Sequence, residues 1–226
     1  MVEFYVLGPL GAVGPSGPVT LGGGKPRVLL AVLVMRAGEF VSRSELVDAL
    51  WPEAPPASAS ESLESYVSRL RTALRASGAS SETLVSVPGG YRLVRDGNRF
   101  DHELFIALSD GARTALTEGD AEGASDIATQ ALALWRGPAL AGIAEERAVR
   151  PDAAELEDRR LAVIETRAEA DLAAGRPAEM IAQLSADASR NPTRERIREL
   201  LMVALYRAGR QTEALEVYRE IRNHLI

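Results

Sequence analysis

The 226-residue chain contains no cysteine, which excludes disulfides, thiol catalysis and cysteine-ligated zinc. Its two histidines, His102 and His224, are too few for a histidine-rich metal site. Lys25 is the only lysine among 26 basic residues. Cationic surface is therefore almost all arginine, whose planar fork of five donors suits phosphate and guanine, although codon bias yields the same composition. Long apolar runs are missing too. Even Val28–Met35 is cut off by Arg36, well short of the roughly 20 residues of a membrane span. The first eleven residues have no basic start before their apolar part and carry Glu3, so they do not read as a secretory signal. A cytoplasmic location with no membrane partner is expected.

Catalytic patterns are absent as well. There is no GxSxG, HExxH or EF-hand spacing. Gly22-Gly23-Gly24-Lys25 is a poor phosphate loop, because Val19 stands where the first glycine belongs and Pro26 replaces the Ser or Thr after the lysine. Pairs such as Glu145-Glu146 read as solvated. The chain is expected not to be an enzyme, and neither a cofactor nor a metal is expected.

What is present is a globular composition, 46% apolar, enough for one large domain or two small ones. The net charge of −6 is unevenly spread. Residues 1–96 hold nine basic and nine acidic residues, while the remainder holds 17 basic and 23 acidic. The asymmetry hints at two domains with different partners.

Two styles of sequence meet near Gly97. Glu3–Leu7 is β-prone, the Gly/Pro-rich stretch 11–18 is expected to make turns, and Val19–Leu21 is expected to pair back. Pro26–Ala37 reads as a helix ended by Gly38. Ser42…Glu45 and Ser58…Glu61 are capping boxes opening helices that run through Trp51 and to about Ser77. Leu84–Val87 and Tyr91–Val94 flank Pro88-Gly89-Gly90 as a hairpin. Three helices closed by a two-stranded wing describe a winged helix-turn-helix, and the small sheet before them suggests the OmpR type. Beyond this, helices are expected at 101–118, 121–135, 152–174, 177–190, 193–208 and 211–225. The motif around Gly175 returns around Gly209, an offset of 34 that matches the tetratricopeptide period. An earlier turn at Gly119 requires an insertion, assigned to Gly137–Pro151. The expected fold is α+β over residues 1–96, a winged helix with its small N-terminal sheet, followed by an all-α tetratricopeptide-like domain over residues 97–226.

On the third helix Ala59, Leu63, Val67, Leu70 and Leu74 form one stripe that must face a core. The opposite face carries Glu61, Ser65, Ser68 and Thr72, flanked by Arg69 and Arg75, with Arg71 nearer the core boundary. Short hydroxyls permit close approach to base edges, and arginines fork onto guanine or hold phosphate. The same periodicity also describes a solvated amphipathic helix. Glu61 and Glu64 weigh against DNA. Glu61 is accounted for by its capping box, and Glu64 only by a cytosine contact or a surface salt bridge. Arg92 and Arg95 lie near the wing, whose tip is uncharged, and Tyr91 reads as a core anchor. Lys25 and Arg27 at the first helix start are further candidates for phosphate.

The chain resembles the Streptomyces antibiotic regulatory protein (SARP) family. The resemblance is carried by Val6–Leu10, Leu21–Ala31, Val41–Leu46, Ala49-Leu50-Trp51, Pro55–Ala59 and Tyr66–Arg71. In the second half it is carried by Ala133–Leu140 and Ala204–Gln211, which look like the family's bacterial transcriptional activation domain. The resemblance implies an activator of secondary-metabolite, or antibiotic, biosynthesis genes that binds direct repeats near the promoter −35 region as a dimer. It implies recruitment of RNA polymerase through sigma-factor and alpha-subunit regions, and a nucleoid-associated location. It assigns Arg69 and Arg71 to the recognition-helix arginines and Ser68 to the small residue before them. Glu61, Glu64 and Val87 depart from the family pattern. Relatives usually continue past Ile226, so a truncated C-terminus is expected, with a downstream ATPase part as one possibility. The competing reading is a protein-interaction scaffold with a degenerate winged helix.

Overall fold

The computed structural model describes residues 1–224 and the side chains of residues 1–220. In chain order the elements are β1 (Glu3–Tyr5), β2 (Gly11–Gly14), β3 (Gly17–Pro18), α1 (Lys25–Met35), β4 (Val41–Ser42), α2 (Arg43–Leu50), α3 (Ala59–Ala76), β5 (Leu84–Val87), β6 (Gly90–Leu93) and β7 (Arg99–Phe100). The helices α4 (Asp101–Thr117), α5 (Ala121–Ala133), α6 (Arg150–Ala173), α7 (Ile181–Arg190), α8 (Glu195–Arg207) and α9 (Gln211–His224) follow. The expected end of the last helix at residue 225, Ile226 and the side chain of His224 lie outside the described residues.

Two small sheets frame the first part, ordered β3-β2-β1-β7 and β4-β6-β5. The stretch 11–18, expected to be turns, is instead β2, a tight turn and β3. Antiparallel register with β1 holds it, Phe4 facing Ala12 and Tyr5 facing Gly11. Val19–Leu21 forms no strand, and its pairing reduces to Val19 N–H donating to the Ala12 carbonyl at 2.8 Å. Neither β4 nor β7 was visible in the sequence, because two-residue strands carry no periodicity. The β7 strand places Phe100 parallel beside Phe4, with ring centroids 5.2 Å apart.

The α1 helix is buried at every residue from Val28 to Val34, as a helix apolar all round must be. At α2 the Ser42–Glu45 capping box forms in both directions. The second expected box does not. Ser58 has φ −92° and ψ 21° and makes no side-chain cap bond, because the turn after Pro55-Pro56, closed by Ala59 N–H to the Pro56 carbonyl, denies it the extended conformation an N-cap uses. The α3 stripe Ala59, Leu63, Val67, Leu70 and Leu74 is buried as its spacing requires.

Two compact units form, each discontinuous in sequence. One is Met1–Leu104 with Leu134–Asp158; the other is Phe105–Ala133 with residues 159–226. The first unit therefore includes a return of the chain from Leu134–Asp158. The stretch assigned as an insertion folds back on the end of β1. Arg136 N–H donates to the Leu7 carbonyl at 2.8 Å, Leu140 N–H to Val6 at 2.8 Å and Ala141 N–H to Gly8 at 3.0 Å. The Asp101 carboxylate takes the amides of Val6 at 2.9 Å and Leu7 at 3.1 Å, and the Arg136 guanidinium at 2.5 Å. Buried backbone polar groups need such partners, and here they arrive from far downstream.

In the second unit the 34-residue repeat is a repeat of turn geometry. Gly175 and Gly209 have φ +77° and +79°. The next residue, Arg176 or Arg210, returns its N–H to the carbonyl five residues back, at 2.8 and 2.9 Å. This is the Schellman closure of a helix C-terminus. The same bond joins Asp120 to Ala115 at 2.9 Å.

Candidate nucleic-acid interface

With the α3 stripe sealed, its other side is left to solvent. Glu61, Glu64, Ser65, Ser68, Arg69, Thr72 and Arg75 are all exposed. Arg69 makes no hydrogen bond or ion pair with any described residue. Thr72 turns its hydroxyl back to the Ser68 carbonyl at 3.0 Å, and Arg75 Nε reaches the Arg71 carbonyl at 3.3 Å.

Arg71 points elsewhere. Its Nε donates to the Leu84 carbonyl and its Nη2 to Ser86 Oγ, both at 2.9 Å, so its fork ties α3 to β5. The wing itself is β5 and β6 in register from Leu84↔Leu93 to Val87↔Gly90. Gly90 is required there, because a Cβ would sit 2.2 Å from the Val41 carbonyl oxygen of the neighbouring β4. Tyr91 is buried, with the guanidinium carbons of Arg43 and Arg71 5.5 and 6.0 Å from its ring. Arg92 is exposed on β6, Val87 is half-buried near the tip, and Arg95 pairs with Glu103 at 3.0 Å.

Lys25 and Arg27 are engaged internally. Lys25 Nζ donates to the Leu50 carbonyl at the end of α2 and lies 4.9 Å from the Trp51 ring. Arg27 Nη2 donates to the Leu10 carbonyl at 3.1 Å.

The two troublesome acids separate. Glu64 is held by Arg43 of α2 at 2.5 Å, and that hydrogen bond, ahead of the nearby Tyr91, raises the Arg43 pKa. Glu61 has no cap bond and only the favourable first-turn position of α3. Arg43 is the residue sequence reasoning passed over. Its signal was its place at the first position of a capped helix, beside an unexplained acid on the next one.

Comparison with known proteins agrees with this arrangement. Residues 19–93 match the family described as transcriptional regulatory protein, C terminal, and residues 100–226 match the bacterial transcriptional activator domain. The chain is 40% identical over 228 residues to the regulatory protein AfsR of Streptomyces griseus, covering 99% of this chain and 22% of that protein. It is 36% identical over 231 residues to the regulatory protein DnrI of Streptomyces peucetius, covering 100% of this chain and 85% of that one. The chain thus spans about a fifth of AfsR but most of DnrI. A solved structure of Mycobacterium tuberculosis EmbR in complex with a low affinity phosphopeptide superposes with a TM-score of 0.93 at 36% identity, over 99% of this chain and 59% of that one. The chain belongs to the Streptomyces antibiotic regulatory protein family of transcriptional regulators.

Proposed function

We propose that this chain is a transcriptional activator that reads promoter double-stranded DNA with the outer face of α3 and steadies itself on the backbone with its wing. One observation carries the reading: a single helix presents Ser65, Ser68, Arg69, Thr72 and Arg75 to solvent while its opposite stripe is sealed. Arg69, with no partner among the described residues, is the fork for a guanine edge. Arg75 and Arg92 hold phosphates, which position without specifying. Arg71 is assigned to bracing the wing, and Lys25 and Arg27 to bracing the ends of α2 and the first sheet. Glu64, answered by Arg43, repels phosphate less than its sequence position suggests.

The family supports the finer reading. In it the protein binds direct repeats near the −35 region as a dimer, recruits RNA polymerase through sigma-factor and alpha-subunit regions, and activates antibiotic-biosynthesis genes from a cytoplasmic, nucleoid-associated location. The domain assignment of residues 1–96 to DNA and 97–226 to protein partners belongs to the same proposal. A footprint on neighbouring biosynthetic promoters, with and without polymerase, tests it. Protection of repeated half-sites is expected, strengthened by polymerase, and no protection in either condition refutes it.

The scaffold reading is favoured by Glu61, an exposed uncapped charge at the leading end of α3. Its test is a low-salt pull-down, in which it requires that no genomic DNA be retained.

A further inference from the structure

Among the described helices of the second unit, the Arg167 guanidinium is partly exposed yet leaves its Nε without a hydrogen bond. Asp171 is buried, and its Oδ1 accepts from Ser125 Oγ at 2.6 Å and from Arg176 Nη2 at 2.9 Å. Arg176 also has Glu122 and Glu179 within 3.9 Å. Arg167, one turn before Asp171, is left with Asp171 Oδ2 at 3.7 Å, beyond hydrogen-bond reach. Its Nε is buried with no hydrogen-bond partner among the described residues. Buried donors in folded proteins are seldom left in this state without a reason.

Arg167 lines a cavity of about 210 Å³. Arg160, Ile164, Arg167 and Ala168 reach it from one face of α6, at spacings of four, seven and eight residues. Leu132 closes it from the end of α5, and Met180, Gln183 and Leu184 from the start of α7. The floor is apolar, and two guanidiniums and an amide stand on its walls. Glu179, also on the lining, is largely exposed to solvent and lies 3.9 Å from Arg176. A cavity of about 150 Å³ with apolar walls accepts a benzene ring, so this one has room for a ring and a short arm.

We propose that the cavity walled by α5, α6 and α7 binds a small amphipathic carboxylate, with its hydrocarbon part on Leu132, Ile164 and Met180 and its carboxylate against Arg167 and Arg160. An arginine–carboxylate contact is charge-assisted and about twice as strong as a neutral hydrogen bond. The charged head therefore decides occupancy and the apolar floor decides size. The helical half would then carry a chemical input separate from the DNA face.

The test uses the full chain and 3-phenylpropionate as probe, with ligand-observed NMR and calorimetry as readouts. Saturable binding is expected, weakened about tenfold or more for the uncharged 3-phenylpropanamide of the same shape. Arg167→Gln and Arg160→Gln should each weaken the acid by about the same factor. Leu132→Trp, which fills the cavity from α5, should abolish binding. Circular dichroism melts identify which variants fold, and the comparison of acid with amide on the unaltered chain needs no variant. Absence of saturable binding, equal binding of acid and amide, or undiminished affinity in the folded variants overturns the proposal.

Discussion

Arg43 and Glu64 meet at 2.5 Å on the surface of the first unit, and in the proposed reading that pair sets how much positive charge a duplex encounters beside α3. Glu64→Gln releases Arg43, so one more phosphate is neutralised. DNA affinity is expected to rise, and the plot of log affinity against log salt to steepen by about 0.9, as mobility shifts across a salt series would record. Arg69→Ala has the opposite signature. Affinity for the cognate promoter falls by about 1–3 kcal/mol if the side chain forks onto a base, while the melting temperature stays put, since no described residue depends on it. His102 titrates in the interior. Burial lowers its pKa below the usual 6.5, against the opposing pull of Asp101 and Glu103 and with a small push from Arg95, and its Nδ1 lacks a partner. The folded form therefore prefers neutral imidazole. Its contribution is unchanged above the unfolded pKa of about 6.5 and turns unfavourable as pH falls from there to the lowered folded value, by at most about 1.4 kcal/mol per pH unit. Urea midpoints at pH 7 and 5.5 should show a larger acid loss for the unaltered protein than for His102→Phe.

Elements obey stripes more readily than they obey end signals. Arg71 links α3 to β5 through two hydrogen bonds, so Arg71→Ala should cost about 1–2 kcal/mol of stability and weaken binding to all DNA sequences alike, unlike Arg69→Ala. Thermal melts paired with competition against non-cognate DNA separate the two. The three helices and the hairpin were legible because their apolar spacing survives into the packed state: Leu63, Val67, Leu70 and Leu74 are buried where periodicity puts them. Two kinds of feature were not. Ser42 and Ser58 head the same capping pattern, yet only Ser42 has the extended backbone the box needs, and that difference comes from the prolines before Ser58. The two-residue strands β4 and β7 exist only through register with distant partners. The candidate site was legible as a face, while the division of labour within it was not. Nothing in the spacing of Arg69 and Arg71 shows that one is unpaired and the other bound to the wing.

For the molecule as a whole, the first compact unit is stitched from two stretches of chain. Asp101 and the Arg136–Ala141 segment satisfy the backbone of Val6, Leu7 and Gly8. A fragment ending at residue 96 keeps every residue proposed to face DNA but loses those partners, and each buried donor left unpaired costs about 1–3 kcal/mol. It is expected to melt well below the intact chain, with the Val6 and Leu7 amides exchanging rapidly in a hydrogen-exchange experiment; equal protection in fragment and intact chain would contradict this. The same stitching bears on synthesis, in which chains fold as they leave the ribosome, N-terminal parts first. Here the Val6 and Leu7 amides must wait for Asp101, and the carbonyls of Val6, Leu7 and Gly8 stay hydrated until codons for residues through Ala141 have been translated and that stretch has cleared the exit tunnel. A transcript truncated before that point would yield a nascent product bearing α3, the helix proposed to read DNA, without the strand partners that complete its unit, and such a product would be fodder for proteases rather than a competitor at promoters.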